Sequence, residues 1–249
     1  MSTPRNLNVV VTGGSGPSGI AAARALHDAG HTVFTVGSDG PRIEAAAAEA
    51  GSGVTPLVCD LASMAEVRSL HAAITARAGK VDGVIHLVGG WRGAKGIADQ
   101  SDEDWDFLER SAITTVRNVT RVFYEDLTAS GTGRFALVSS TAVGSPTAAA
   151  ASYVAVKAAA EAWTLAVADG FRRDQSATGA IGATGGPEEQ RSAAVIFVVK
   201  ALVDAGMRAK SPERSFPGFT DVDELAAAAV GLFATPAAEL NGRRLLLSR

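Results

Sequence analysis

Cysteine is almost missing from this chain. The single Cys59 excludes an internal disulfide framework and any cysteine-rich zinc site, and its setting in VTPLVCD reads as a buried strand position. No run of eighteen apolar residues suggests a membrane span. There is no basic tail, and a formal net charge of −3 gives nucleic-acid binding little support. No set of His, Asp and Glu has metal-ligand spacing, so no metal site is expected. The opening MSTPRNLNVVV lacks the apolar region and small-residue cleavage pattern of a signal peptide, which makes a cytoplasmic location the expectation. Tyrosine is also scarce, with two in 249 residues.

What is present is an alternation of short apolar runs and longer helical patterns. NLNVVV (6–11) is β-branched and bounded by glycines, which reads as a buried strand. A helical pattern follows from Ser18 and stops at Gly30. HTVFTVG (31–37) is a second strand, 41–50 a helix opening on Pro41, and GVTPLVCD (53–60) a third strand that Pro56 assigns to a sheet edge. A helix over 63–78 and a strand over 80–90 come next, then one long helix or two abutting ones over 101–131. GRFALVSS (133–140) is a strand and 151–172 a helix. Residues 174–192 hold four glycines and a proline and read as a flexible insertion. A strand in AAVIFVVKALV, a helix over 220–236 capped by Thr220 or Asp221, and a strand in GRRLLLS complete the chain. Repeated βαβ units predict one α/β domain over 1–249, with a mainly parallel sheet covered on both faces.

Two places carry chemistry. In TGGSGPSG (12–19), Gly13 permits a tight turn, Ser15 and Gly16 lie where backbone can approach a pyrophosphate, and Gly19 allows close helix–sheet packing. The helix N-terminus behind them offers unpaired N–H groups to phosphate. Asp60 either accepts from an adenine amine or caps the helix near Ser63. At the end of the second strand, Ser38 suits a 2′-phosphate and Asp39 a ribose diol, which leaves NAD and NADP both open.

The second place is SSTAVGSPTAAAASYVAVK. Tyr153 and Lys157 stand four apart, on one helix face. An ammonium beside a phenol lowers the phenol's pKa, which suits it to acid–base work. Ser139 and Ser140 end the preceding strand, where open α/β sheets place ligands. Trp91, Arg92 and Lys95 either line a substrate mouth or form a solvated loop around a packed tryptophan. His86, inside an apolar strand, reads as a hydrogen-bonded core residue.

Together these features resemble the short-chain dehydrogenase/reductase family over nearly the whole chain. The resemblance implies a Rossmann-like, doubly wound seven-stranded sheet, an NAD or NADP cofactor, a small carbonyl/alcohol substrate, and a homodimer or homotetramer built through helices. It places the catalytic Ser, Tyr and Lys on Ser140, Tyr153 and Lys157. The thirteen-residue gap from Ser140 to Tyr153 selects Ser140 over Ser139. It puts cofactor contacts on Gly13, Ser15, Gly16, Gly19, Ser38, Asp60, Gly89, Tyr153 and Lys157, with Lys157 also holding the nicotinamide ribose. TGxxGxxG, the pattern of extended members, leaves Pro17 in the first helical turn. The chain departs from the family elsewhere. Asn-Asn-Ala-Gly appears as His86-Leu87-Val88-Gly89, the relay asparagine falls near Ala112, and Pro-Gly after the sixth strand appears as Lys200-Ala201. These departures motivate a second reading, a non-catalytic dinucleotide-binding or scaffold protein. The 200–220 segment is expected to cover the active site, with Met207, Phe216 and Phe219 as an apolar wall or ordinary packing.

Overall fold

Strands that are apolar at successive positions need cover on both faces, and here both faces are covered. The computed structural model describes residues 6–177 and 190–247. Its main strands are β1 (Asn8–Thr12), β2 (Thr32–Gly37), β3 (Thr55–Val58), β4 (Gly83–His86), β5 (Gly133–Ser140) and β6 (Ser192–Val199). A two-stranded ribbon follows, β7 (Leu202–Val203) with β8 (Thr220–Asp221), and the last strand is β9 (Arg244–Leu246). The helices are α1 (Pro17–Asp28), α2 (Gly40–Ala50), α3 (Met64–Ala78), α4 (Asp102–Glu109), α5 (Thr115–Ala129), α6 (Ala151–Ala177), α7 (Ala205–Lys210), α8 (Val222–Gly231) and α9 (Ala237–Leu240).

The main sheet has seven parallel strands in the order β3-β2-β1-β4-β5-β6-β9. This is the expected doubly wound α/β fold. Alternate residues of each strand serve opposite cores. Val9, Val11, Ala193, Val195 and Phe197 pack toward α1, α2, α8 and α9. Val10, Val84, Phe135 and Ala194 pack toward α3, α5 and α6. Phe123, Phe135, Phe171 and Phe197 are fully buried, each side chain stabilising the fold by roughly 1.5–3 kcal/mol.

Pro56 lies on β3, which among the described residues pairs only with β2, so its missing N–H costs no ladder bond on the outer side. Strand order reverses between β1 and β4, and the crevice at their carboxyl ends is where such sheets take ligands.

Several boundaries differ from the sequence reading. The strand expected over 80–90 ends at His86, because Leu87 N still bonds Thr12 O while the glycines beyond it leave the sheet. The helix expected over 151–172 runs on to Ala177. There Gln175 accepts from the N–H groups of Arg191 and Ser192 and so joins the helix end to the start of β6. The expected loop at 174–192 therefore begins as helix and ends as strand, and its 178–189 portion lies outside the described residues. The 101–131 region is a continuous helical run whose middle, Arg110–Thr114, widens into a π turn. Asp221, rather than Thr220, caps α8 by accepting from Asp223 N.

Candidate active site

The turn after β1 is built by glycines for two different reasons. Gly13 has φ +76°, and a Cβ there would stand 2.8 Å from the carbonyl carbon of Leu87. A Cβ on Gly19 would stand 2.5 Å from Gly13 O and Gly14 Cα, so α1 can approach the turn only without a side chain. Gly16 is another matter, since nothing lies nearer than 3.9 Å to a Cβ there. It caps α1 in extended backbone, and Pro17 is the first helical residue, as expected. No side chain caps α1, so its first N–H groups face the crevice. The Ser15 hydroxyl is buried without a hydrogen-bond partner and borders the same space.

That space is a cavity of about 630 Å³, lined by Gly13, Ser15, Gly16, Ser38, Asp39, Arg42, Asp60, Gly89 and Arg110 among others. Asp39 accepts from Arg42 N at 2.9 Å and caps α2. Asp60 does not cap α3. Ser63 does, accepting from Glu66 N. Asp60 instead accepts from Ala62 N at 3.0 Å and pairs with the Arg110 guanidinium at 2.5 Å. A glycine turn, an orphaned hydroxyl and two guanidiniums at a topological switch point fit a dinucleotide.

A second cavity of about 380 Å³ shares Ser18, Leu87, Val88 and Gly89 with the first, and adds Trp91, Ser139, Tyr153, Lys157 and Lys200–Leu202. Ser140, buried at the end of β5, accepts from Ala142 N at 3.2 Å. Its hydroxyl, beside the Tyr153 phenol, pulls that group's pKa down. Burial outweighs this and holds the phenol above its ordinary range. The lowering expected from Lys157 is absent here. Its Nζ lies 6.0 Å from the tyrosine ring centre and donates to Val138 O at 2.9 Å. Burial brings the ammonium itself down to about 8, with Glu161 opposing that fall. Gly89 makes room for this amine, since a Cβ there would stand 3.3 Å from Nζ. Ser139 is spoken for, donating to Glu161 Oε1 at 2.6 Å.

Ala112 lies buried in the π turn against Leu108, Val156 and Tyr153. Asn118 does not substitute for an asparagine there, because its amide donates to Leu61 O. His86 is fully buried between Thr12 and Thr115, a core residue as expected. Of the suggested mouth residues, Trp91 reaches the second cavity. Arg92 turns away to pair with Asp104 and cover the Phe107 ring, and Lys95 does not line either cavity. Phe216 and Phe219 pack edge-to-face on each other. They and Met207 line neither cavity. Among the described residues no His, Cys, Asp and Glu cluster could hold a metal ion.

Residues 7–183 match the short chain dehydrogenase family. The chain belongs to the short-chain dehydrogenase/reductase family, whose members are NAD(P)-dependent oxidoreductases. Over 118 residues it is 33% identical to the (5R,7aS)-5-hydroxy-7a-methyl-1-oxo-2,3,5,6,7,7a-hexahydro-1H-indene-carboxyl-CoA reductase of Mycobacterium tuberculosis, covering 45% of each chain. It spans about half the length of such curated relatives. Two solved structures share its fold. One is an NADPH-bound short-chain oxidoreductase of Pseudomonas aeruginosa with an atypical catalytic center (TM-score 0.81, 20% identity, 98% of this chain and 97% of that one). The other is the 3-ketoacyl-(acyl-carrier-protein) reductase of Brucella melitensis complexed with NADH (TM-score 0.79, 20% identity, 98% and 97%).

Sequence reasoning missed Arg42, Arg110 and Glu161. Arg42 and Glu161 had a local signal: the first falls in the opening turn after Ser38-Asp39, and the second is one turn beyond Lys157. Arg110 had none, because its meeting with Asp60 joins positions fifty residues apart.

Proposed function

We propose that this protein is an NAD(P)-dependent reductase or dehydrogenase of a carbonyl/alcohol pair, with a preference for NADP(H). The observation that carries the reading is that Tyr153 and Lys157 line a cavity that runs into the one under the glycine turn, with Ser140 at the end of β5 acting on the Tyr153 phenol. When bound, the nicotinamide supplies or accepts the hydride.

The chain's own residues do the rest. Gly13, Ser15 and Gly16 hold the pyrophosphate at the head of α1, which Gly19 lets approach the turn. Ser38 and Arg42 take a 2′-phosphate, since Asp39 is engaged in capping α2. Asp60, held by Arg110, borders the adenine end. Lys157 holds the nicotinamide ribose, with Gly89 giving it room. Ser140 orients the substrate oxygen, and Tyr153 gives that oxygen a proton in reduction or removes one in oxidation. A cytoplasmic enzyme assembled as a homodimer or homotetramer belongs to the same reading. The oligomer is supported by a groove of Tyr124, Trp163 and Val167 on the α5 and α6 faces. Among the described residues no helix is long and apolar enough to cross a membrane.

The second reading, a non-catalytic nucleotide-binding protein, draws its support from Ala112. Calorimetric titration with NADPH and NADH, followed by turnover of a carbonyl panel by wild type and Tyr153→Phe, separates the two. We expect NADPH to bind at least about tenfold tighter, which is about 1.4 kcal/mol. Tyr153→Phe should lose roughly 10²–10⁴ in turnover while keeping cofactor affinity. Binding with equally negligible turnover in both proteins would favour the second reading.

A further inference from the structure

Glu161 lies one helical turn beyond Lys157 on α6 and is buried, a costly place for a carboxylate. Three contacts fix it there. Ser139 donates to Oε1 at 2.6 Å from the end of β5. From β9, the Arg244 Nε pairs with Oε2 at 2.9 Å, and its terminal nitrogen reaches Oε1 at 3.2 Å. The carboxylate thus ties the catalytic helix to the last residue but one of β5 and to the outermost strand of the sheet.

The groups around Lys157 narrow what this carboxylate does. From its own helix come Tyr153 and Glu161. His86 faces it from β4, and burial keeps that imidazole neutral near neutral pH. Lys200, beyond β6, borders the same cavity with the same sign of charge. Arg244 of β9 reaches the group through Glu161. Among the described residues, Glu161 is therefore the carboxylate that answers the buried amine.

We propose that Glu161 is a positioning residue: clamped by Ser139 and Arg244, it is the counter-charge that keeps the Lys157 amine an ammonium. The state of β9 is thereby felt at the site, because Arg244 sets how much of the carboxylate's field reaches the amine. This rests on the proposed role of Lys157 in catalysis, but its test does not need turnover.

The chain has five lysines, so ¹³Cε-labelled lysine gives a resolvable NMR titration, with Lys157→Met used to assign the resonance. Glu161→Gln keeps the shape and an oxygen for Ser139 while removing the charge. Its Lys157 midpoint should fall by about one pH unit. Arg244→Gln removes the screening cation, and its midpoint should rise. A role in packing alone would cost stability in both variants without moving the midpoints in opposite directions. An unmoved midpoint in Glu161→Gln, or shifts of the same sign in both, would overturn the proposal. If a substrate is turned over, the alkaline limb of its pH–rate profile should follow the NMR midpoints. If none is, the titration still decides the role of Glu161 while the catalytic reading fails separately.

Discussion

The Nδ1 atom of His86 lies 2.7 Å from the Thr12 hydroxyl, deep between two parallel strands. On the other side, Nε2 lies 3.2 Å from the Thr115 hydroxyl, which itself donates to Ser111 O at 2.6 Å. Thr115 has spent its proton on that carbonyl, so it accepts from Nε2–H, and Nδ1 accepts from Thr12. The network assigns one neutral tautomer and anchors the π turn to the sheet.

Burial holds the His86 imidazole down at about 3. Above the unfolded value of about 6.5 both states are neutral and no stability is lost. As pH falls below that, the unfolded chain gains a proton that the folded one refuses, down to pH 3. Stability should decline by up to about 1.4 kcal/mol per pH unit from this group. His31, also lowered by burial, adds to the slope in the same direction. Urea unfolding of His86→Asn between pH 7 and 4 should show a shallower decline than wild type. An unchanged slope would mean the imidazole is already charged in the fold.

The two kinds of glycine in the turn should respond differently to alanine. Gly19→Ala puts a methyl 2.5 Å from backbone atoms and should cost roughly 1–3 kcal/mol as overpacking, with weaker dinucleotide binding. Gly16→Ala meets nothing closer than 3.9 Å and should change stability by less than about 0.5 kcal/mol. Thermal melts of the two variants, with and without NADPH, check this contrast. Equal losses would show that the turn is held by something other than that close approach.

Arg134 tests the opposite end of the sheet. It is buried at the start of β5 and donates to the carbonyls of Leu232, Gly133, Arg191 and Thr235, each at 2.8 Å. Arg134→Met leaves acceptors without their donor and should cost at least about 3 kcal/mol. Cofactor affinity should be unchanged at saturating stability, because Ser140 lies at the other end of the same strand. Denaturation midpoints and a binding isotherm give the two readouts, and a variant as stable as wild type would show that water replaces the guanidinium.

Much of the fold was legible because its signals are local. β-branched runs such as VVV at 9–11 and VIFVV at 195–199 can be satisfied only by a strand covered on both sides. Pro56 had to lie where a missing N–H does no harm, and it lies on the edge strand. The spacing of Tyr153 and Lys157 placed both on one face of α6 before any partner was known. Gly13 and Gly19 were readable for the same reason, since positive φ and close packing leave few alternatives.

Tertiary structure alone decided how these groups are charged and paired. A neighbouring lysine on the helix suggested a lowered phenol pKa for Tyr153, but desolvation is a property of the whole surround and raises it instead. Asp60 could have been a cap or a ligand, and a guanidinium from fifty residues away settled that it is paired with Arg110. Glu161 went unremarked in the sequence, and only β9 brings Arg244 against it. Sequence specifies what each residue can do within a turn or two of chain. Burial and long-range partners, which come only with the closed sheet, determine the electrostatic setting in which it does so.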